Sequence, residues 1–329
     1  MSVLVTGGTG YIGSHTCVVL LEAGYDVIIA DNLYNSKLDV LDKIETITGF
    51  RPKFYQCDVS NIDELNVIFN ENKIDSILHF AGYKAVGESV GVPLKYYRNN
   101  LLGTIALVES ALSHNVSKFI FSSSATVYGD GVVPYHESNT LMPSTNPYGE
   151  TKVMSERILS DTANVNPGLS ITLLRYFNPI GAHKSGLIGE IPVGTPNNLM
   201  PYITQVAKGK LERLRVFGND YNTVDGTGVR DYVHVVDLAY GHMAALEKMR
   251  NGINIYNLGT GKGTSVLELI HTFQTVNNIQ IPYDIVERRP GDVASSFADV
   301  TKALDELGWK TQKNLQDMCH DSWFFEKNQ

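Results

Sequence analysis

The fold is decided by the stretch Thr6-Gly7-Gly8-Thr9-Gly10-Tyr11-Ile12-Gly13 near the start of this 329-residue chain. It follows a short apolar run at 3–5 and precedes an apolar helical pattern that ends at Gly24. Its glycines satisfy both the G-x-G-x-x-G and the G-x-x-G-x-x-G spacing. Such glycines allow a tight turn, a close approach of the backbone to a pyrophosphate, and close packing of helix on strand. The stretch therefore predicts a dinucleotide site at a helix N-terminus, where the helix dipole favours negative charge.

Downstream of this stretch, short apolar runs alternate with helical patterns such as 93–115 and 148–164. The runs that we predict to be strands lie at 3–5, 27–30, 54–55, 77–80, 119–122 and 171–175. Strands that are apolar almost throughout, separated by helices, are typical of a parallel sheet covered on both faces. The sequence therefore predicts an α/β fold with a doubly wound, Rossmann-like parallel sheet.

The character of the sequence changes beyond about residue 178. Segments 186–192 and 218–228 are rich in Gly, Asn, Asp and Pro, and they predict long loops among shorter strands and helices. The chain length also suggests more than one domain. We predict an NAD-binding domain over 1–178 and a second, smaller mixed α/β domain over 179–329.

The composition excludes several classes of protein. Asp and Glu total 35 against 27 Lys and Arg, and the net charge of -8 disfavours a nucleic acid or an anionic membrane as partner. The Cys residues form no C-x-x-C pair and the His residues no H-E-x-x-H, so we expect no metal site and a reducing compartment. The sequence also contains no signal-peptide pattern and no apolar run of about 18 residues, so we expect a cytoplasmic protein.

A single carboxylate predicts which dinucleotide is bound. Asp31 stands at the end of the second predicted strand, downstream of the glycine-rich turn. A carboxylate in this place accepts hydrogen bonds from the ribose hydroxyls and repels a 2′-phosphate. The sequence therefore predicts NAD rather than NADP as the cofactor.

Tyr148 and Lys152 are one helical turn apart, so their side chains share one face of the predicted helix. A cation beside a phenol favours the phenolate and lowers the pKa from its usual value near 10. Ser124 lies at the end of the fifth predicted strand, where side chains line the ligand crevice of an open α/β sheet. We interpret Tyr148 as a general base, Lys152 as its cation, and Ser124 as a hydroxyl that orients the substrate.

Together, the glycine-rich stretch, Asp31, Ser124, Tyr148 and Lys152 resemble the extended short-chain dehydrogenase/reductase family. Further segments, in the same order, are similar to the UDP-hexose 4-epimerase branch of that family. They lie at 121–129, 176–179, 196–201, 216–221, 225–232 and 288–292. The resemblance covers essentially the whole chain.

The resemblance implies an NAD-dependent isomerase of galactose metabolism that interconverts UDP-galactose and UDP-glucose at C4. Tyr148 takes the proton of the sugar 4-OH while the C4 hydride passes to NAD. The resulting 4-keto sugar turns over and regains the hydride on its other face, so NAD stays bound. Ser124 hydrogen-bonds the sugar oxygen, and Lys152 tunes the phenol and binds the nicotinamide ribose. The family also implies a homodimer.

The resemblance also gives binding residues by matching position. The implied NAD contacts are Gly7, Gly10, Tyr11, Ile12, Gly13, Asp31, Asn32, Asn35, Ser36, Asp58, Val59, Phe80, Ala81, Gly82, Lys84, Asn99, Tyr148, Lys152 and Phe177. The implied UDP-sugar contacts are Ser124, Asn178, Asn198, Leu199, Val216, Phe217, Arg230, Arg289, Asp292 and Ser296. Guanidinium groups suit a diphosphate inside an acidic protein.

Several of these residues have purely structural alternatives. The alternatives are strand core for Val216 and Phe217, a helix cap near Ser60 for Asp58, and a surface charge for Lys84. We interpret His234 and Asp237, which lie between apolar residues, as structural.

Ser296 supports a hypothesis about substrate range. Some family members carry a tyrosine at this position, which narrows the sugar pocket. A small side chain would leave room for a 2-acetamido group, so UDP-N-acetylglucosamine and UDP-N-acetylgalactosamine would also interconvert.

Other functions remain as alternatives on the same fold. A nucleotide-sugar dehydratase typically carries an Asp-Glu pair where this chain has Ala125-Thr126, which disfavours that reaction. A net reductase or dehydrogenase of nucleotide sugars remains open. A non-catalytic NAD-sensing regulator would keep the glycine-rich turn but would not need Ser124, Tyr148 and Lys152 together.

Overall fold

The computed structural model describes residues 1–192, 194, 196, 198–289 and 291–329. Asn197 and Pro290, which fall in two of the segments that carry the family resemblance, lie outside the described residues.

The strands form one large sheet and several small ones. In chain order they are β1 (Ser2–Thr6), β2 (Asp26–Asp31), β3 (Lys53–Gln56), β4 (Ser76–His79), β5 (Lys118–Ser124), β6 (Ser170–Tyr176), β7 (Asn178–Ile180), β8 (Leu214–Phe217), β9 (Val229–Arg230), β10 (Tyr232–His234), β11 (Ile253–Leu258), β12 (Thr264–Ser265), β13 (Tyr283–Val286) and β14 (Ser295–Ser296).

The helices alternate with the strands of the large sheet and then surround the small ones. They are α1 (Tyr11–Glu22), α2 (Val40–Thr48), α3 (Ile62–Glu71), α4 (Val86–Gly91), α5 (Pro93–Ser113), α6 (Pro147–Val165), α7 (Leu199–Ala207), α8 (Val235–Glu247), α9 (Val266–Asn277), α10 (Thr301–Leu307) and α11 (Leu315–Lys327). In the described part of the chain, none of these helices is both long enough and apolar enough to cross a lipid bilayer.

The large sheet is parallel, with the strand order β11-β6-β5-β4-β1-β2-β3. It includes a strand at each of the six predicted positions, so the predicted doubly wound sheet is confirmed. The strand order reverses at β1, which has β2 on one side and β4 on the other. In such a sheet the ligand crevice lies outside the carboxyl ends of the strands at this reversal.

Both faces of the sheet are buried, as the apolar strands predict. Along β1, Val3 and Val5 contribute to the core beneath α1, α2 and α8, while Leu4 points to the opposite core beneath α3, α5 and α6. This alternation follows from the two-residue period of a strand. The helices therefore hold the sheet rigidly from both sides and fix the positions of the residues at its carboxyl edge.

The C-terminal half forms a small core of its own and also adds a strand to the large sheet. Residues 199–217 and 266–286 supply much of a separate small core around Ile203 and Phe273. In contrast, β11 pairs with β6 in the large sheet, with Leu258 opposite Tyr176, and α8 packs on α1. The domain boundary at residue 178 stays a prediction, and the structure adds that part of 179–329 completes the N-terminal sheet.

Candidate active site

The glycine-rich turn has the close packing that a dinucleotide site needs, because at two of its glycines a side chain would collide with neighbouring backbone. Gly7 has a φ of +71°, and a Cβ there would lie 2.8 Å from the backbone nitrogen of Ala81. A Cβ on Gly13 would lie 2.2 Å from the carbonyl oxygen of Gly7. The turn after β1 can therefore lie against the loop after β4, and α1 against the turn, only when glycine occupies both positions.

The N-terminus of α1 opens onto this turn. Gly10 is its N-cap, and it provides no side-chain hydrogen bond to the first turn of the helix. The first N–H groups of an α-helix have no acceptor within the helix, and the dipole places partial positive charge there. Tyr11 and Ile12 begin the helix at this end, so the predicted pyrophosphate site has the donors that it requires.

Asp31 is buried at the carboxyl end of β2 and connects the turn with the following loop. Its carboxylate accepts hydrogen bonds from the backbone N–H of Thr9 at 3.1 Å, from that of Leu33 at 2.9 Å and from the hydroxyl of Ser36 at 3.1 Å. The predicted NAD residues Asn32, Asn35 and Ser36 lie on this same loop. The structure thus brings these NAD candidates together beside the turn.

Most of the remaining NAD candidates lie just after neighbouring strands of the large sheet, and one lies on α5. Asp58 accepts hydrogen bonds from the N–H and hydroxyl of Ser60 at 2.9 and 2.7 Å, and the cap of α3 is Asn61, so the cap alternative for Asp58 is wrong. Lys84 follows β4 and pairs with Glu190 at 2.9 Å. The other candidates lie after β3 and β4, on α5 and after β6; they are Val59, Phe80, Ala81, Gly82, Asn99 and Phe177.

The first turn of α6 positions the predicted base and its cation. Pro147 occupies the first turn of the helix and the side chain of Asn146 accepts the N–H of Gly149 at 2.9 Å, which starts the helix just before Tyr148. The ammonium of Lys152 lies 5.9 Å from the centre of the Tyr148 ring and donates to the carbonyl oxygen of Ser122 at 2.7 Å. Both side chains are buried, so the pair is held in one place.

Ser124 completes this group at the last residue of β5. Its hydroxyl oxygen accepts hydrogen bonds from the backbone N–H and the hydroxyl of Thr126 at 3.2 and 3.0 Å. The pKa of Tyr148 is raised above its usual value by burial, while a hydrogen bond to Ser124 opposes that shift. Ser124 and Tyr148 therefore share one site, as the sequence predicts.

Burial also acts on Lys152, whose pKa it lowers to about 8, while the negative charge of Glu156 acts in the opposite direction. The sequence-based expectation that Lys152 lowers the pKa of Tyr148 is not met by the chain alone. The physical reason is that desolvation favours the neutral form of both groups. Additional positive charge, such as that of a nicotinamide ring, is needed to shift the phenol toward neutral pH.

Several UDP-sugar candidates come together around β9 and β14. Arg230 and Ser296 are opposite residues of these paired strands. Asp292 lies 3.0 Å from the guanidinium of Arg289 and 3.9 Å from that of Arg230. The guanidinium of Arg289 also lies 4.7 Å from the centre of the Phe217 ring. The structure therefore provides two arginines within one polar group, which is the chemistry that a diphosphate requires.

The other UDP-sugar candidates occupy varied positions. Asn198 is the N-cap of α7, next to Leu199, and donates to Glu190 at 2.9 Å. Asn178 is exposed at the start of β7. The Val216 side chain is buried in the small core, which agrees with its structural alternative, so only its backbone is available to a ligand. The half-buried Phe217 instead contacts Arg289 and is not purely core.

His234 and Asp237 have the structural roles that the sequence predicts. The buried ring of His234 caps α8 through the N–H of Val236 at 3.1 Å. The carboxylate of Asp237 accepts the backbone N–H groups of Gln312 and Lys313 at 3.0 and 2.9 Å.

Sequence reasoning missed a buried ion pair further along α6. Glu156 accepts two hydrogen bonds from Arg175, at 3.0 and 2.6 Å, and one from the hydroxyl of Ser123 at 2.5 Å. It lies one helical turn beyond Lys152, which is a continuation of the Tyr148–Lys152 spacing. That spacing was the available signal, but nothing in the sequence indicates Arg175 as the partner.

Sequence reasoning also missed Asn100. Its side chain accepts the N–H of Tyr83 at 2.8 Å and donates to the hydroxyl of Thr151 at 3.0 Å. It therefore joins the loop after β4 to the helix that carries Tyr148 and Lys152.

Known proteins share this architecture over the whole chain. A family model described as GDP-mannose 4,6 dehydratase matches residues 4–322. The UDP-glucose 4-epimerase of Bacillus subtilis is 54% identical over 330 residues, which cover 100% of this chain and 97% of that protein. That of Dictyostelium discoideum is 55% identical over 325 residues, which cover 98% of this chain and 94% of that protein.

Solved structures give the same result. The structure of UDP-glucose 4-epimerase from Bifidobacterium longum in complex with NAD+ and UDP has a TM-score of 0.97 and 50% sequence identity. The match covers 100% of this chain and 98% of that one. The chain therefore belongs to the extended short-chain dehydrogenase/reductase family. Its relatives at about 54% identity within that family are UDP-glucose 4-epimerases.

Proposed function

We propose that the protein is an NAD-dependent UDP-glucose 4-epimerase, which interconverts UDP-galactose and UDP-glucose through a 4-keto sugar. The observation that carries this proposal is the meeting of Ser124, Tyr148 and Lys152 at the carboxyl edge of a sheet with a glycine cradle for a dinucleotide. The relative from Bifidobacterium longum was solved with NAD+ and UDP, the cofactor and the nucleotide that this function requires.

Bound NAD supplies reversible removal of hydride from C4 of the sugar. The Tyr148 phenolate accepts the proton of the 4-OH and later returns it to the reduced oxygen. Lys152 keeps positive charge beside the phenolate and is oriented by the carbonyl oxygen of Ser122 at 2.7 Å. Ser124 orients the sugar oxygen toward Tyr148. Because these side chains are buried, the fold sets their positions in advance, and no solvent has to reorganise around them during the reaction.

The substrate is held through its diphosphate. Arg230 and Arg289 provide guanidinium groups that form paired hydrogen bonds with phosphate oxygens. In the structure, Asp292 contacts both arginines and keeps them side by side. This local positive group offsets the overall charge of -8 of the chain.

The residues of the site argue against two alternative functions. A 4,6-dehydratase needs an acid and a base at the positions of Ala125 and Thr126, which follow Ser124 in a short 3-10 helix and do not titrate near neutral pH. A non-catalytic NAD sensor would have no use for the buried group of Ser124, Tyr148 and Lys152. A net reductase differs from an epimerase in that it exchanges its cofactor after each turnover. The experiment below separates the two functions.

Finer parts of the proposal concern substrate range, assembly and location. Activity on N-acetylated UDP-sugars is supported by the small side chain of Ser296, which is half-buried opposite Arg230. A homodimer is supported by the exposed apolar side chains of Leu94 and Leu102 on α5 and Met154 on the adjacent α6. A cytoplasmic location is supported by the Cys residues, which are free and buried. Light scattering and cell fractionation test the last two.

The function is tested by incubating the purified protein with UDP-galactose and following UDP-glucose by chromatography. We expect UDP-glucose to form without added NADH and without net NADH production at 340 nm. Stoichiometric NADH would indicate a dehydrogenase, and loss of water from the sugar would indicate a dehydratase. Binding of NAD without any sugar product would support the sensor instead.

A further inference from the structure

Two loops meet across the predicted cofactor crevice. Tyr34 lies on the loop after β2, and Tyr83 lies on the loop after β4. These strands are the two neighbours of β1, whose carboxyl end leads into the glycine-rich turn. The rings of Tyr34 and Tyr83 nevertheless approach to 4.8 Å between centroids. The contact therefore joins the two sides of the crevice across β1.

Lys95 holds this contact together. Its ammonium donates to the Tyr34 hydroxyl at 2.8 Å and to the carboxylate of Glu88 at 2.6 Å. It also lies 4.7 Å from the centre of the Tyr83 ring and 5.1 Å from that of Tyr34. An ammonium at this distance from the faces of aromatic rings is attracted to both. Lys95 thus bonds simultaneously to the two loops that flank the crevice.

Both loops are fixed at the bases of these side chains. Leu33, which precedes Tyr34, has a φ of 58°, a conformation that costs free energy in a non-glycine residue. It is held there by the carboxylate of Asp31, which accepts its N–H at 2.9 Å. On the other side, Asn100 accepts the N–H of Tyr83 at 2.8 Å. Asp31, a residue of the predicted NAD site, and Asn100 therefore fix the two loops from which the tyrosines extend.

A role in the stability of the core does not explain this arrangement. Tyr34 is 56% exposed, and the Lys95 side chain is 32% exposed. Exposed ion pairs contribute little to the free energy of folding. The group instead lies between the two loops that flank the crevice.

We infer that Tyr34, Lys95 and Tyr83 form a clasp that closes the crevice over the dinucleotide and slows its release. The inference rests on the proposed function, because in an epimerase the cofactor that takes the hydride from the sugar gives it back to the same sugar within each turnover. A cofactor lost midway would leave an oxidised sugar in the site. A clasp on the cofactor side retains NAD while the substrate exchanges elsewhere.

The inference is tested by the rate at which NAD leaves the purified, loaded protein. Release is followed by rapid desalting and chromatographic measurement of the nucleotide that remains after denaturation. Lys95→Met removes the ammonium but keeps a side chain of similar shape, and we expect release to be about tenfold faster. Tyr34→Leu should have a similar effect, and the double variant should be less than additive because both changes open the same clasp.

Lys53→Met is the matched control. Lys53 lies 5.0 Å from the centre of the Tyr55 ring and 3.7 Å from Glu71, so it has the same kinds of contact on a different surface. Its variant should keep the wild-type release rate and activity. Added salt should speed release from the wild type more than from Lys95→Met, since the clasp includes an exposed ion pair.

The outcomes distinguish the clasp from the proposed function. If the wild type retains NAD but Lys95→Met and Tyr34→Leu release it at the rate of Lys53→Met, the clasp is refuted and the epimerase proposal stands. If the wild type binds no NAD at all, both are refuted.

Discussion

The ammonium of Lys152 lies 5.9 Å from the centre of the Tyr148 ring, and burial opposes the charged form of both groups. Burial raises the pKa of the Tyr148 phenol and lowers that of Lys152 to about 8. The chain alone therefore holds a neutral phenol beside a marginally stable ammonium. The pair becomes a base and its cation only when further positive charge is bound nearby.

Replacing Tyr148 by Phe should reduce turnover of UDP-galactose by ~10²–10⁴-fold, because the variant lacks the atom that carries the proton. The ring remains, so the fold and NAD content should be retained, as measured by thermal unfolding and nucleotide extraction. A Phe variant with wild-type turnover would refute the assignment of Tyr148 as the base.

Replacing Lys152 by Met should abolish most activity and yet stabilise the fold at neutral pH. Because the pKa is lowered to about 8 from 10.5, the folded protein binds fewer protons than the unfolded chain between these values. Burial of the charged ammonium therefore lowers the free energy of unfolding of the wild type below pH 8. This loss is recovered as the pH rises to about 10.5. We expect Lys152→Met to gain roughly 1–2 kcal/mol at pH 7, after loss of the bond to Ser122, and the gain to shrink toward pH 10. Urea unfolding of the cofactor-free proteins between pH 7 and about 10 measures the difference in free energy of unfolding between variant and wild type. A difference that does not change with pH would contradict the expectation.

Replacing Gly13 by Ala should destabilise the fold by about 1–3 kcal/mol or more and weaken NAD binding. The added Cβ would lie 2.2 Å from the carbonyl oxygen of Gly7, so the turn must move away from α1. Gly168→Ala is the control, since a Cβ there meets no heavy atom of the described residues within 4 Å. Calorimetry and NAD titration compare the two, and equal effects would show that the turn is not tightly packed.

Replacing Arg175 by Met should cost about 3–5 kcal/mol, because Glu156 is left as a buried charge without its partner. The double variant Glu156→Met/Arg175→Met removes both charges and should recover much of that loss. Denaturant unfolding tests this, and a double variant less stable than the single one would contradict it.

Replacing Ser296 by Tyr should remove activity on N-acetylated UDP-sugars selectively, because the larger side chain fills the space for the acetamido group. The ratio of kcat/KM for UDP-N-acetylglucosamine and UDP-glucose measures the effect. Equal loss on both substrates would exclude Ser296 as the residue that limits pocket size.

The sequence predicts those parts of the site that depend on local spacing. The glycine-rich turn and the Tyr148–Lys152 pair need only neighbouring residues and one helical period to be recognised. Arg175 and Lys95 were missed as partners because their contacts join separate elements, and no periodic pattern marks such contacts. β11 was missed because its sequence Ile-Asn-Ile-Tyr-Asn-Leu alternates and lacks the apolar run of the other strands. The direction of the Tyr148 pKa shift was missed because desolvation depends on the finished fold.

The position of β11 at the edge of the large sheet has a consequence for biosynthesis. Until residue 258 of 329 has left the ribosome, β6 is an open edge whose N–H and C=O groups lack their neighbour. The large sheet therefore lacks its last strand while the first half of the chain emerges, and a nascent or truncated chain that stops at residue 178 exposes this edge to aggregation.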